Sequence, residues 1–587
     1  MGGTWSWLFG RSKDERAPIE GLMPRLKNIA RNNFRGIFGI AVPLLGLAWR
    51  VEKGKSTLEF MWLAMIWIYL LQPLSVPTAS IIPIFLLPMT GLLDSVSTCR
   101  CYFNEGIALF TLTSMLILLL NNSGYDRRLA LNIMCSGDND AFAAKRLLIK
   151  CSLAAFILSM LSNRLIVTSI ITQYVTPIFL SLKSGAGKGP SETNYDNVRY
   201  VINNAIQTSS AIGSTAIMHS AYCTHAFRTI FIESCLKPRH VYPDIFNYLQ
   251  YSVFALPLAI VLFIANCVYH IFLLSGAQGK PMSAAAIADV KSQLQKHKDS
   301  IPKQITSHEV ITIFCLVLLL VLLFVADNKY VRGWSTFNYV DGKPIIKDPT
   351  IVSLFVILLH SIPRSTNFLK LITENRKSKL TLKPDSSILF WRFVNMNTNY
   401  SYFMLIGAGV AIGASVRSTK LYEDITNYSG TSLTNQNWYV GLLLVCFLSC
   451  ILANIMTGVA AVVIFLPFVL NMARDGAPSP WVGNAYLAAL GVGTASSFGF
   501  MWPFMYTPAF ICHHVGKVPM QKMAKYSIVS VVLCCIILWV ALIVYAPILW
   551  DPTGAGIYCE PGPVISSSAP TTPAPGGGGD EAPPPGI

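Results

Sequence analysis

Charged residues are scarce in this sequence. Only 13% of its 587 residues are Asp, Glu, Lys or Arg, whereas 53% are hydrophobic and the mean hydropathy is +0.50. A soluble globular protein cannot keep so much apolar surface away from water. The composition therefore excludes a soluble domain and predicts an all-α, multi-pass membrane protein, with about eleven apolar runs long enough to cross a bilayer.

Lys and Arg are absent after Tyr545, where only four acidic residues follow. The net charge of +16 comes instead from basic clusters in residues 11–35, 127–150, 280–303 and 364–383. Because basic residues concentrate in cytoplasmic loops, we expect a cytosolic N-terminus and an extracellular or lumenal C-terminus. As a separate expectation, the protein resides in the plasma membrane. The basic N-terminal segment precedes the first apolar run, so we expect no cleaved signal peptide. Cytoplasmic loops account for the basic clusters, so we also expect no nucleic-acid partner.

Enzyme signatures are missing as well. The sequence contains no phosphate-binding glycine loop, no HExxH motif and no GxSxG motif, so we expect no enzyme. Most of the 14 cysteines lie inside apolar runs, which predicts no disulfide framework. Cys99 and Cys101 form a close pair but lack a second pair to complete a zinc site. We therefore expect no metal site of this kind.

Two apolar runs are too long to be single membrane helices. The run from Cys151 to Leu182 contains one charged residue, Arg164. As a straight helix it would reach about 48 Å, whereas the hydrocarbon core of a bilayer is about 30 Å thick. Asn163, Arg164 and Pro177 are the residues that we expect to interrupt it.

The second long run, residues 438–471, carries no charge and contains Asn454, Gly458 and Pro467. Each run is followed by a stretch of small residues, SSAIGSTAIM at 209–218 and LGVGTASSFGFM at 490–501. Either stretch alone is more typical of ordinary helix packing in membranes than of a binding site. The paired arrangement predicts internal repeats and a binding site at the midplane of a transporter.

Several segments resemble the divalent anion/sodium symporter family, which includes sodium-coupled dicarboxylate, citrate and sulfate carriers and the insect I'm-not-dead-yet proteins. They are WLAMIWIYLLQPLSVPTASIIPIFLLPMTGLLD at 62–94, FMLIGAGVAIGASVRSTKL at 403–421, IFLPFVLNMA at 464–473 and GVGTASSFGFMWPFMYTPAF at 491–510. The resemblance covers residues 36–550. It implies about eleven transmembrane helices, two re-entrant hairpins, two inverted repeats, an elevator mechanism and a homodimer.

The resemblance also implies a division of the chain. The expected parts are a cytosolic basic N-terminus (1–35), scaffold helices (36–140), a first transport repeat (141–235), scaffold helices with cytosolic loops (236–400), a second transport repeat (401–550) and a disordered non-cytosolic tail (551–587). Asn427 begins a glycosylation sequon in a polar loop.

In that family two Ser-Asn-Thr signatures at the hairpin tips bind the substrate, and neighbouring groups hold sodium. Here the first signature falls on Ser162-Asn163-Arg164, or on residues 167–169 if it is counted back from Pro177. The second falls on Thr457-Gly458-Val459 if it is counted back from Pro467, and Ala453-Asn454-Ile455 lies nearby. The resemblance implies substrate contacts at Ser162, Asn163, Arg164, Gly213, Thr215, Thr457, Gly458, Thr507 and Pro508. It implies sodium contacts at Ser162, Asn163, Gly213, Asn454 and Thr494.

Neither signature is intact, which argues against conventional sodium coupling. The guanidinium of Arg164 could take over part of the role of sodium by binding a substrate carboxylate. Alternatively, Arg164 only holds the hairpin open through a backbone contact or reaches an interface. Both interpretations stay open at this point.

We expect a secondary transporter of small divalent anions, with succinate and citrate favoured over sulfate and the bilayer as its surroundings. The alternative is a transport-incompetent relative that acts as a membrane partner. We interpret the remaining polar and aromatic candidates as interfacial or packing residues: His219, His225, Arg228, His513, His514, Trp502 and Tyr506.

Overall fold

The computed structural model describes residues 21–49, 55–185, 193–235, 240–326, 333–337, 339–340, 343–344, 346–365, 386–421, 437–472, 481 and 483–561. Three parts of the sequence interpretation lie outside these ranges: residues 1–20 of the basic N-terminus, Asn427 in its polar loop, and residues 562–587 of the expected tail.

The N-terminal part is a series of helices of very different length. They are α1 (Leu22–Asn32), α2 (Phe34–Trp49), α3 (Lys55–Leu71), α4 (Val76–Ala79), α5 (Ile82–Met89), α6 (Ser95–Tyr102), α7 (Glu105–Leu116), α8 (Leu119–Ser123) and α9 (Tyr125–Met134). Side-chain caps set two of the starts, because Asp94 accepts from the Ser97 N–H and Asn104 from the Ile107 N–H.

The middle part contains the first long interrupted run. After a 3₁₀ turn (Asn139–Phe142) come α10 (Ala144–Leu161), α11 (Arg164–Gly185), α12 (Tyr195–Ser214), a 3₁₀ turn (Met218–Ser220), α13 (Tyr222–Glu233), α14 (Tyr248–Ala277), α15 (Ala284–Asp299) and α16 (Ser307–Phe324). A capping box of Thr306 and Glu309 begins α16.

The C-terminal part contains the second interrupted run. A 3₁₀ turn (Trp334–Phe337) precedes α17 (Asp348–Ser361), α18 (Trp391–Asn397), α19 (Ser401–Thr419), α20 (Trp438–Ile455), α21 (Gly458–Met472), α22 (Ala485–Ala495), α23 (Thr507–His514) and α24 (Met520–Trp550). We call α10 with α11 the first hairpin and α20 with α21 the second hairpin.

Seven described helices are long and apolar enough to cross a membrane: Ser95–Ser123, Arg164–Lys183, Tyr248–Ala277, Ser307–Phe324, Ser401–Thr419, Trp438–Ile455 and Met520–Trp550. Shorter apolar helices are Phe34–Leu45, Val76–Met89, Asp348–Ser361, Gly458–Met472 and Ala485–Ala495. These helices show a multi-pass membrane protein.

The helices around the two interruptions form the interior of the molecule. Helices α21 and α22 are buried along their whole length, and α12 is buried on nearly every side. The surrounding helices instead turn apolar side chains outward, such as Phe272, Phe314 and Val544, which are 72%, 64% and 59% exposed. Such an outer surface suits lipid contact, whereas helices apolar all round belong inside.

The described strands form two short antiparallel pairs. Strand β1 (His240–Val241) is antiparallel to β4 (Glu560–Pro561), and β2 (Tyr339–Val340) is antiparallel to β3 (Lys343–Pro344). Beside β1 and β4, Cys235 and Cys559 form a disulfide across 324 residues.

This disulfide corrects two expectations. The cysteines were expected to form no disulfide framework, but the fold brings two of them, far apart in sequence, together in one disulfide. The tail was expected to be disordered from residue 551. Instead it is ordered to Pro561, since the disulfide, the strand pair and a bond from the Ile557 N–H to the Gly483 carbonyl hold it.

A buried ion-pair cluster lies near the same end of the protein. Arg228 on α13 contacts Asp244 at 2.5 Å and Asp348 at 3.1 Å, and its side chain is only 7% exposed. Arg228 was interpreted as interfacial, which is wrong, because both carboxylates draw the guanidinium into the interior. The cluster ties α13 to the first turn of α17.

Replacing Arg228 should therefore destabilise the protein strongly. In Arg228→Ala the largely buried carboxylate of Asp348 loses its partner, and we expect a loss of about 3–5 kcal/mol. The exposed pair of Lys183 and Asp196 is the control, and Lys183→Ala should cost about 0–1 kcal/mol. Thermal unfolding in detergent, followed by tryptophan fluorescence, measures both variants. Equal midpoints for the two would contradict the assignment.

Candidate functional site between two hairpin tips

Both long runs are interrupted at equivalent places. In the first hairpin α10 ends at Leu161 and α11 begins at Arg164, and in the second α20 ends at Ile455 and α21 begins at Gly458. Ser162 and Met456 both have extended backbone, with φ/ψ of −132/167° and −126/178°. Asn163 therefore corresponds in position to Thr457, and Arg164 to Gly458.

This register decides between the two alternatives for the first signature. The tip consists of Ser162-Asn163-Arg164, whereas residues 167–169 lie inside α11. The register also puts Thr457 and Gly458 at the second tip, as counted back from Pro467. The next helices begin on side-chain caps, because Asn163 Oδ1 accepts from the Leu165 N–H at 2.9 Å and Thr457 Oγ1 from the Ala460 N–H at 3.3 Å.

Each hairpin is followed by a second interruption of the chain. We call residues 215–221, between α12 and α13, the first break, and residues 496–506, between α22 and α23, the second break. The hydroxyl of Tyr251 donates to the Thr215 carbonyl at 2.9 Å, and Ser220 Oγ donates to the Met160 carbonyl of the first hairpin. The first break is thus joined to the first hairpin.

The second break is held mainly by Asn454. Its Nδ2 donates to the carbonyls of Phe498 at 3.1 Å and Cys450 at 2.8 Å, and its Oδ1 accepts from the Met501 N–H at 2.9 Å. Gln207 adds a bond to the Phe500 carbonyl at 3.2 Å. Asn454 was predicted to bind an ion, but both ends of its amide are engaged by the backbone.

The two tips meet at consecutive residues of α13. Asn163 Nδ2 lies 3.4 Å from the Tyr222 hydroxyl. A Cβ added to Gly458 would lie 3.1 Å from Cys223 Sγ and 2.3 Å from the Ser496 carbonyl oxygen. Since Tyr222 and Cys223 are neighbours in the chain, they bring the first tip, the second tip and the second break to one place.

Arg164 is the charged group at this meeting point. Its Cζ lies 4.6 Å from the centre of the Tyr506 ring, and its buried Nη1 has no hydrogen-bond partner. Among the described residues, no carboxylate pairs with it. The Arg164 carbonyl accepts from Thr168 at 2.7 Å and Ser210 at 3.2 Å, so the backbone is fixed while the guanidinium keeps donors available. An unpaired cation in such surroundings favours an anion.

The other predicted substrate contacts lie in several different surroundings. A Cβ on Gly213 would lie 2.3 Å from the Phe156 carbonyl oxygen, so Gly213 lets α12 approach the first hairpin. Thr215 donates its hydroxyl to the Ile212 carbonyl at 2.7 Å. Thr507 is exposed at the start of α23 and Pro508 is buried in the same turn, next to Tyr506.

The predicted sodium set fits a cation only in part. Ser162 Oγ and Thr494 Oγ1 are buried without a partner, which leaves two neutral oxygens available. Asn454 is engaged by the backbone and Gly213 lies against a hairpin, so neither completes a cation site. No group of three or more metal-ligating side chains occurs in the part of the chain that the structure describes.

Sequence reasoning missed the aromatic part of the site. Tyr506 was interpreted as a packing or belt residue, but its ring carries the guanidinium of Arg164. Tyr222 stacks near Tyr402, with ring centres 4.7 Å apart. The only signal in the sequence was the position of Tyr222 and Tyr506 at the ends of the two breaks.

The surroundings of the histidines also differ from those expected from the sequence. His219 and His225 were expected at an interface, but both are buried, and His225 Nε2 lies 3.3 Å from Thr113 Oγ1. His513 Nδ1 lies 2.6 Å from the Val518 carbonyl oxygen, and the ring centres of His513 and His514 are 5.0 Å apart.

Comparison with known proteins supports a transporter. The profile of the citrate transporter family matches residues 60–491. "Protein I'm not dead yet" of Drosophila melanogaster is 23% identical, covering 91% of this chain and 93% of that one. The "Sodium-dependent high-affinity dicarboxylate transporter 3" of Caenorhabditis elegans is 24% identical, covering 90% and 91%. Among solved structures, MtrF of Neisseria gonorrhoeae matches with a TM-score of 0.49 and 14% identity, over 84% of this chain and 96% of that one.

The close approach at Gly458 yields a test of the site geometry. Gly458→Ala should lower the free energy of unfolding by about 1–3 kcal/mol, because its methyl group meets the fixed carbonyl of Ser496. Gly413 on α19 is the matched control, since a Cβ there meets nothing within 4 Å. Gly413→Ala should stabilise the helix by about 0.5–1 kcal/mol. Thermal unfolding compares them, and an unchanged Gly458→Ala midpoint would count against the contact.

Proposed function

Because this chain belongs to the citrate transporter family, among the divalent anion/sodium symporters, we propose that it transports small dianions, with di- and tricarboxylates such as succinate and citrate as substrates. The family consists of transporters and not of enzymes. The observation that carries the proposal is the unpaired guanidinium of Arg164 at the meeting point of the two tips.

Arg164 binds one carboxylate of the substrate in this mechanism. A guanidinium offers parallel N–H donors that match the two oxygens of a carboxylate, and the Tyr506 ring holds its plane from one side. Substrate binding thus provides the counter-charge that the protein itself does not supply. This pairing is stronger in a low-dielectric site than in water.

Neutral donors of the two tips take the remaining negative charge. Ser162 Oγ has no partner, and Asn163 Nδ2 makes only a long 3.4 Å contact with the Tyr222 hydroxyl, while Asn163 Oδ1 caps α11. The Ser162 hydroxyl and Asn163 Nδ2 can donate to a carboxylate, as can the hydroxyl of the partly exposed Thr457, whose oxygen caps α21. No sodium step is included, because the engaged amide of Asn454 leaves the predicted cation set incomplete.

The paired architecture supports an alternating-access mechanism. Two hairpins and two breaks at corresponding positions support two inverted repeats, which move together as the transport part of an elevator. The hydrogen bonds of α14 favour a boundary between scaffold and transport part that differs from the one expected from the sequence. Asn266 donates to Thr208 on α12 at 2.9 Å and accepts from Ser530 on α24 at 3.0 Å. Helix α14 therefore moves with the transport part, although the sequence division placed it with the scaffold.

The disulfide supports one orientation of the protein in the membrane. Disulfides persist in oxidising compartments, so the end of the protein that carries Cys235 and Cys559 faces the outside or a lumen. This orientation agrees with the lack of Lys and Arg after Tyr545 and leaves the N-terminus cytosolic. The plasma membrane and a homodimer complete the proposal as expectations from the family.

The substrate proposal is tested by uptake into proteoliposomes. We expect uptake of radiolabelled succinate or citrate without sodium, and Arg164→Gln should lower kcat/KM by about 100-fold, since it removes a charge-assisted contact of about 3 kcal/mol. Arg164→Lys should retain part of the activity, because Lys keeps the charge but not the bidentate geometry. Lys183→Gln, which removes an exposed cation, is the control.

A negative result in the uptake experiment would contradict the transport proposal. If the folded protein takes up neither succinate nor citrate nor sulfate, with or without sodium, the transport proposal is wrong. The engaged amide of Asn454 would then favour the second candidate, a transport-incompetent relative that acts as a membrane partner. Normal uptake by Arg164→Gln would remove Arg164 from the site and leave transport intact.

The orientation is tested by thiol labelling on intact cells. Free thiols are first blocked with an unlabelled impermeant maleimide, since Cys99 is free and exposed. Reduction followed by a labelled impermeant maleimide should then mark the wild type through the partly exposed Cys559 and not the Cys559→Ser variant. Labelling that requires permeabilised cells would reverse the orientation.

A further inference from the structure

Helix α1, Leu22–Asn32, is amphipathic and exposed on every side. It has no buried residue, and Leu22, Met23, Leu26 and Ile29 are 75%, 77%, 49% and 53% exposed. These residues lie on one face at helical spacing, because positions 22, 26 and 29 recur after four and three residues. No other described part of the protein covers this apolar face.

Basic residues lie at the edge of this apolar face and opposite to it. Arg25 lies at the edge, next to Ile29, whereas Lys27 and Arg31 lie on the opposite side. All three are exposed, and the helix contains no acidic residue. An apolar stripe flanked by cations is the arrangement of helices that lie in the interface of an anionic bilayer.

The chain connection places α1 at a membrane surface. Asn33 separates it from the apolar helix α2, which begins at Phe34. The apolar residues at the start of α2 are also exposed, with Phe34 and Ile37 at 59% and 51%. Arg35 is anchored to the end of α3, because its Nη2 donates to the Leu71 carbonyl at 2.5 Å. The C-terminal end of α1 therefore adjoins the start of an apolar helix that is hydrogen-bonded to α3.

We propose that α1 lies on the membrane surface and binds anionic phospholipid headgroups through Arg25, Lys27 and Arg31, with Leu22, Leu26 and Ile29 inserted among the acyl chains. A neutral surface supplies only the apolar term. An anionic surface adds about fivefold in binding for each basic residue, which amounts to on the order of 100-fold for the three. The helix thus distinguishes membranes by their surface charge.

The test uses the full-length protein in nanodiscs of phosphatidylcholine with or without phosphatidylserine. Hydrogen–deuterium exchange resolves the amides of residues 22–32, and those of α24 report whether the protein is folded. We expect phosphatidylserine to slow exchange in α1 by up to about 100-fold. High salt should reverse most of this slowing, because exposed charges are screened.

Two sets of variants separate the charge from the apolar face. Combined Arg25→Gln, Lys27→Gln and Arg31→Gln should abolish the difference between the two nanodiscs. The matched control, Lys296→Gln with Lys298→Gln and Lys303→Gln, removes the same charge elsewhere and should keep it. Leu26→Ser with Ile29→Ser should speed exchange in both membranes.

Three outcomes would overturn the proposal. One is equal exchange of α1 in both nanodiscs, and another is slowing that survives loss of the three charges. The third is slowing that depends on the number of protein copies per nanodisc and not on the lipid, which would assign the apolar face to a second copy of this chain.

Discussion

Backbone groups that a helix leaves unpaired inside a membrane must find partners within the protein, and this constraint shapes the centre of the molecule. Helices α10, α20, α12 and α22 all stop there. Asn454 and Gln207 satisfy the backbone of the second break, and Tyr251 and Ser220 secure the first break. Each break is therefore joined by side chains to the helices around it, and the site forms only when these parts pack together.

The two halves of the site have different chemistry despite their similar architecture. The first tip presents a cation on an aromatic ring, Arg164 on Tyr506, with donors that the protein leaves unpaired. At the equivalent position the second tip has Gly458, which lets the backbone approach Ser496. The first half thus carries a positive charge, while the second half provides close packing of the backbone. A fixed guanidinium also reduces the need for a bound cation.

The ends of the protein are held in contrasting ways. At one end the disulfide of Cys235, the strand pair and the cluster of Arg228 with Asp244 and Asp348 tie α13 to the tail and to α17. At the N-terminal end α1 is exposed and meets no described partner along its apolar face. In the interior, a side-chain hydrogen bond from Asn266 to Thr208 joins α14 to α12.

Composition and run length alone determined the membrane class and the two interrupted runs, but left the first tip open between residues 162–164 and 167–169. These features depend on local physics, because hydropathy and the length of a helix are readable residue by residue. Only the tertiary structure decided that Tyr506 supports Arg164, that Asn454 is engaged by the backbone, and that Cys235 pairs with Cys559. Such pairings join residues far apart in sequence, and no local pattern encodes a distance that the packing of many helices sets.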